Sequence, residues 1–253
     1  NEQTAGKAFV KSQTPDVVGL QELTDIKPAK LQELATAWEH PHSSLLKTSG
    51  FSVGLTSRWP VEVVEKRVSE MHHGYLHAKT NGVHYFVVHL SPFKWEVRSR
   101  ESNIILKQVA GLLDAGNKVI VLGDFNAFTP DDRQWLLANK DLIPRMKESD
   151  QKHGHVENLK EGEIDYSVMK IFLDSGLSDT TERFISKSLK HRLTLPTGVW
   201  KDKETPPEKG QRIDFILAST NLFQRVKNSR IIREGAVNRI SDHYPVITDF
   251  ELN

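Results

Sequence analysis

The chain of 253 residues contains no cysteine. That absence excludes disulfides, thiolate metal sites and a cysteine nucleophile. It leaves the compartment open, because a chain without thiols folds in reducing and oxidising surroundings alike. Long apolar runs are also missing: no stretch approaches the roughly 18–20 residues that a membrane-spanning helix needs, so no transmembrane segment is expected. The start lacks the basic-then-apolar order of a secretory signal. Neither Gly-x-x-x-x-Gly-Lys nor Gly-x-Gly-x-x-Gly is present, which argues against a nucleotide-driven motor or a dinucleotide-dependent oxidoreductase. Charge of one sign is missing too: the net value is +1, so composition does not mark a strongly basic nucleic-acid binder.

Against these absences stands an ordinary globular composition, 38% apolar and 26% charged, in a chain long enough for one large core. Residues 1–253 are therefore expected to form a single domain, with no internal repeat. Short runs rich in Val, Ile and Phe alternate with helical patterns. Residues 2–13 read as a helix, 16–20 as a short buried strand and 28–38 as a helix with Pro28 in its first turn. Strands are expected at Phe51–Thr56, Val61–Val68, Tyr75–Lys79 and Val83–Leu90, the last two joined by the hairpin dipeptide Asn81-Gly82. Glu96–Leu113 is an amphipathic helix. Lys118–Leu122 is apolar on both faces and reads as a central strand covered on each side. Asp141–Gly162 is polar and expected to be loop-rich, 167–175 helical, 201–210 a surface loop, and 212–218 and 244–250 closing strands. Such a mixture suggests packed sheets with helices outside.

Several of these strands carry polar groups of catalytic type at one end. Val17-Val18-Gly19-Leu20 runs into Gln21-Glu22, and Phe86-Val87-Val88 into His89-Leu90-Ser91. Val119-Ile120-Val121-Leu122 runs into Gly123-Asp124-Phe125-Asn126. Ser241-Asp242-His243-Tyr244-Pro245 leads into the final strand, and Asp214 lies within Arg212-Ile213-Asp214-Phe215, where a buried charge calls for a partner. Strand ends are rigid mounts on which loops can bring distant positions together. Glu22, Asp124 and Asp242 offer hard oxygens suited to magnesium or manganese. His89 and His243 can donate to a phosphoryl oxygen or exchange protons. Asn126 can bind phosphate and orient Asp124, and Asp214 is a natural partner for His243.

In this order, Leu20-Gln21-Glu22, His89-Leu90, Gly123-Asp124-Phe125-Asn126, Arg212-Ile213-Asp214-Phe215 and Ser241-Asp242-His243 resemble the endonuclease/exonuclease/phosphatase superfamily of metal-dependent phosphoesterases. Gly54–Pro60 also looks like a strand of that family. The resemblance implies an α/β four-layer αββα sandwich of two mainly antiparallel sheets, with the site at one edge. It implies a magnesium- or manganese-dependent hydrolase whose partner is a phosphate-ester substrate: a small molecule, a lipid headgroup or nucleic acid. No obligate protein partner is implied. By the same resemblance Glu22 and Asp242 hold metal, Asp124 orients or deprotonates water, Asn126 binds phosphate, His243 with Asp214 contacts the scissile phosphate, and His89 stabilises the transition state. Asp124 and His243 both stay open as the base. Members normally begin with a strand ending in a metal-binding asparagine; this sequence opens on the helix that follows, so that first strand is expected to be missing from it. A nuclease and a catalytically lapsed binding module of the same fold stand as alternatives.

Blander readings apply elsewhere. His72-His73 and His153-Gly154-His155 lack companions at metal-ligand spacing and read as exposed loop histidines. Lys94, Arg98 and Arg100 follow His89 closely and are candidates for the phosphate side. The basic stretch Arg183–Arg192 could face an anionic substrate or be a solvated charged segment. Trp59, Trp95 and Trp200 read as packing residues before cleft residues.

Overall fold

The computed structural model describes residues 2–185, 189–199 and 210–252. The expected loop at 201–210 falls, apart from Gly210, outside the described residues, as do Trp200 and part of the basic stretch near 187. In chain order the elements are α1 (Glu2–Ser12), β1 (Val17–Leu20), α2 (Pro28–Ala37), β2 (His42–Leu45), β3 (Gly54–Ser57), β4 (Glu62–Arg67), β5 (Tyr75–Thr80) and β6 (Val83–His89). Then come α3 (Trp95–Asp114), β7 (Lys118–Asp124), α4 (Arg133–Ala138), α5 (Leu142–Lys152), β8 (Leu159–Lys160) and β9 (Glu163–Ile164). The chain closes with α6 (Ser167–Asp174), β10 (Leu177–Asp179), α7 (Leu189–Arg192), β11 (Asp214–Ser219), α8 (Thr220–Phe223), β12 (Val226–Ile231) and β13 (Val246–Phe250).

A six-stranded sheet, ordered β10-β11-β7-β6-β5-β4, forms the middle of the molecule. Its pairings are antiparallel except for β6 with β7, whose connection runs through α3. The Asn81-Gly82 dipeptide makes the β5–β6 turn, with both residues at positive φ, +47° and +73°, as a two-residue hairpin of type I′ requires. Period-two alternation then sorts side chains between two cores. Phe86, Val88, Val119 and Val121 pack with Ile105 and Val109 of α3 and with Val168, Met169 and Phe172 of α6. On the opposite face Leu76, Val83, Val87 and Ile120 pack with Val53 and Leu55, joined by Val17, Leu122 and Phe250.

That second core lies between sheets. A three-stranded sheet, β1-β3-β2, and the β12-β13 pair cover this face, with β3 against β5, β1 against β7 and β13 against β11. Outside them α2 lies on β2 and β3 and touches α1, closing a small core of Leu34, Ala35 and Trp38 with Val10 and Leu20. The layers are thus α, β, β and α, as expected. Among the described residues no helix is long and apolar enough to cross a membrane.

The expected loop at 141–162 is corrected: it contains α5 and β8. Helix α5 packs Leu142, Ile143 and Met146 against a small core, but its apolar face is confined to the first turns and the rest, KESDQK, is polar. Strands β2 and β12, of sequence HSSL and VKNSRI, likewise carry too little apolar alternation to be read directly.

Candidate active site

Three adjacent strands end at one level of the large sheet. Parallel pairing of β6 with β7 sets His89 opposite Asp124, and antiparallel pairing of β11 with β7 sets Asp214 on the other flank. Gly123 permits this approach: its φ is +136°, and a Cβ there would lie 2.0 Å from the Val88 carbonyl oxygen. A side chain at that position would push β7 away from β6 and displace Asp124 with it.

Asp124 is 6% exposed, and its carboxylate is held by the turn that follows. The Asn126 backbone N–H donates to Oδ1 at 2.7 Å. The Asn126 side-chain amide donates to Oδ2 at 3.3 Å and to the Leu90 carbonyl at 2.9 Å. An Asx turn and an orienting amide therefore coexist at this strand end. Asn126 adopts φ +48° and Glu22 φ +54°, left-handed conformations that non-glycine residues rarely take outside special sites.

His243 enters from the segment just before β13. Its Nδ1 donates to Asp214 Oδ2 at 2.9 Å, which leaves Nε2 as the nitrogen available to a ligand. His89 Nε2 lies 3.5 Å from Asp124 Oδ2. Glu22 occupies the exposed turn after β1, while Asp242, half-buried, is held through its carbonyl by Thr197 N–H at 2.9 Å. Glu22 is within electrostatic reach of both Asp242 and His243.

The charges oppose one another. Burial lifts the Asp124 carboxyl well above its ordinary range, and the Asp214 charge lifts it further. Burial and then Asp242 raise Glu22. For His243 burial works downward, yet the hydrogen bond to Asp214 and the charges of Asp214, Asp124 and Asp242 outweigh it and bring the pKa to about 9. His89 goes the other way, to about 3, chiefly through burial and then through the neighbouring His73 and His243. At neutral pH His243 is cationic and His89 neutral. A cavity of about 360 Å³ lined by Val64, Glu65, His77 and Gln108 lies elsewhere, and no candidate site residue lines it.

The donors present suit a divalent cation. Asp124, Asp214 and His243 offer ligand atoms that all lie within 4.8 Å of one another; with His243 cationic and its Nδ1 given to Asp214, the carboxylate oxygens of Asp124 and Asp214 are the ones open to a cation. A buried carboxylate whose proton affinity is raised by a neighbouring one, as that of Asp124 is by Asp214, marks a place where a cation would relieve repulsion. This compact group differs from the Glu22 and Asp242 pair named from sequence, although those two stand beside it.

Two sequence readings change. His73 is not an exposed loop histidine: it is 6% exposed, and its ring stacks on His89 with centroids 4.1 Å apart. Only the doublet beside Gly74, just before β5, could have hinted at it. Arg98 is placed in a structural role. It is buried and donates from Nη1 to the Ser91 carbonyl at 3.0 Å, fixing the segment after His89. His153 and His155 are exposed, as expected.

Comparison with known proteins bears on the fold. The model of a family described as "Endonuclease/Exonuclease/phosphatase family" matches residues 7–243. No curated protein sequence matches the chain. The fold is similar to that of an AP endonuclease from Archaeoglobus fulgidus, at 16% identity and a TM-score of 0.70, covering 99% of this chain and 94% of that one. It is also similar to the 3′ phosphatase NExo from Neisseria bound to a product DNA hairpin, at 18% identity and a TM-score of 0.72, covering 100% and 95%. A third similar structure is D. rerio TDP2 complexed with a single-strand DNA product, at 16% identity and a TM-score of 0.61, covering 99% and 93%.

Proposed function

The chain belongs to the endonuclease/exonuclease/phosphatase family, and from that premise we propose that it is a divalent-metal-dependent phosphoester hydrolase in which water attacks phosphorus. The observation that carries this reading is the row of His89, Asp124 and Asp214 across three paired strands, with His243 bound to Asp214 at 2.9 Å. We take residues 1–253 as one catalytic domain, because α1 packs against the Gly235–Arg239 turn near the other end of the chain.

The roles follow from charge and reach. His243, cationic and anchored by Asp214, donates from Nε2 to an oxygen of the scissile phosphate. A charged donor is a poor base, so the water falls to Asp124, whose raised proton affinity suits it to accept a proton. Asn126 keeps the Asp124 carboxylate in place. His89, neutral, offers a hydrogen bond to charge developing on the phosphoryl group, as fixed donors do in preorganised sites. A magnesium or manganese ion held by Glu22 and Asp242, with Asp124 alongside, would supply Lewis-acid stabilisation of the phosphoryl oxygens.

NExo and TDP2, both solved with DNA products, suggest that nucleic-acid phosphates be tested first. A near-zero net charge keeps small phosphate esters and lipid headgroups in the panel. A lapsed binding module is disfavoured because Glu22, Asp124, Asn126, Asp214 and His243 are all present, and a buried charge such as that of Asp124 is costly to retain without a task.

The test is hydrolysis of bis(p-nitrophenyl) phosphate and p-nitrophenyl phosphate with magnesium or manganese and then with chelator. Chelator-sensitive turnover of either is expected. Absence of both turnover and metal binding would move the reading to the binding module.

A further inference from the structure

His89 lacks the usual second anchor of a working histidine. Such a ring is normally fixed by a hydrogen bond at the nitrogen that does not face the substrate. Here Nε2 faces Asp124, while Nδ1 is buried with no hydrogen-bond partner. What lies against the ring instead is the face of His73, at 4.1 Å and 19° between planes. His73 is itself braced: His72 meets it edge-on at 4.2 Å and Phe51 at 5.7 Å, each at 79°.

One buried carboxylate sets the spacing of this stack. Glu101 is 0% exposed. Its Oε1 accepts from the His72 backbone N–H at 2.5 Å, and its Oε2 accepts from the Ser91 backbone N–H at 2.8 Å. The first bond holds the loop before β5, one residue from His73, and the second holds the segment two residues beyond His89. Gly74, at φ +92° and with no room for a Cβ beside the Arg67 carbonyl, lets the loop turn so that His73 faces inward.

We infer that His73 is a positioning residue for the proposed reaction: its imidazole face holds the plane of the His89 ring, and Glu101 fixes the separation of the two loops. This rests on the reading of His89 as a group that meets the phosphate. Face-to-face contact restrains rotation of the ring out of plane but does not distinguish the two flipped orientations.

The experiment compares His73→Phe, His73→Leu and His89→Ala with wild type, each checked for thermal stability. His73→Phe keeps a ring face; His73→Leu fills the space without one. Expected is kcat within about threefold of wild type for His73→Phe and a fall of roughly tenfold to a hundredfold for His73→Leu, with KM little changed, since misplacing a catalytic group acts on the chemical step. In chelated protein the His89 ring resonances should be single and sharp in wild type and His73→Phe, and broadened or doubled in His73→Leu. Unchanged His89 resonances in a folded His73→Leu would overturn the inference whether or not the protein turns over substrate. Impaired His89→Ala beside a fully active His73→Leu would overturn it alone, leaving the hydrolase reading intact. A fully active His89→Ala would remove the role of His89 and the inference with it.

Discussion

Asp214→Asn tests the charged pair at the heart of the site without removing any side-chain volume. Burial disfavours the His243 imidazolium, and Asp214, by hydrogen bond and charge, together with the charges of Asp124 and Asp242, more than reverses this, to a pKa of about 9 against an ordinary 6.5. A histidine whose folded pKa is raised stabilises the fold fully below the unfolded pKa and loses that stabilisation as pH rises through the folded one. The window is therefore about pH 6.5 to 9. Across it the linkage amounts to about 3 kcal/mol, equivalent to roughly 6–12 °C in Tm for a domain of this size. His243 is a quarter exposed, so this is an upper figure. In chelator, the urea midpoint of wild type should fall steadily across that window. Asp214→Asn should be destabilised at neutral pH by up to about 3 kcal/mol and lose most of that slope, because burial still opposes the charge while its main partner has gone. An NMR titration of the His243 ring gives the pKa directly. A wild-type His243 titrating near its ordinary value, or an unchanged slope in Asp214→Asn, would refute the reasoning.

On the acid side the sign reverses: burial, and then His84, depress His77 to about 4, so stability is lost as pH falls from about 6.5 toward 4, by about 3 kcal/mol from this group alone. His77→Phe, stacked on Phe86 as His77 is, should flatten that loss, measured by urea unfolding at descending pH. Asp132 accepts from Arg192 Nε at 2.5 Å and Arg212 Nε at 2.6 Å, all three buried. Asp132→Ala should destabilise by about 2–3 kcal/mol, since it removes one charged acceptor from two buried guanidinium groups that keep Asp179 and Glu182; a change below about 1 kcal/mol in denaturant unfolding would contradict this. Gly123→Ala, whose Cβ would sit 2.0 Å from the Val88 oxygen, should lower stability by about 2 kcal/mol or more and reduce turnover together; a stable, fully active variant would show that β6 and β7 need not approach so closely.

The strands and their polar ends were legible because apolar runs stop abruptly at Glu22, His89 and Asp124, a pattern that survives without knowledge of pairing. What the sequence could not show is the register. His89 and Asp124 meet through a parallel crossover over α3, and Asp214 joins them from far along the chain. Two elements stayed hidden: β12 carries little apolar alternation, and the apolar face of α5 is limited to its first turns within an otherwise polar stretch. His73 was misread for a related reason: its burial comes from the turn at Gly74 and the Glu101 clamp, both tertiary. The pairing of His243 with Asp214 was anticipated from chemistry, whereas the compact donor group of Asp124, Asp214 and His243 emerged only from the packed strands.

The most direct measurement is turnover of a phosphodiester by Asp124→Asn beside wild type at the same magnesium or manganese concentration, with unfolding curves confirming that both are folded. The proposed chemistry predicts a loss of at least about a hundredfold in kcat, the scale expected when one preorganised group is removed from the site. Turnover within about threefold of wild type would contradict it, because Asp124 could not then be the group that handles the attacking water.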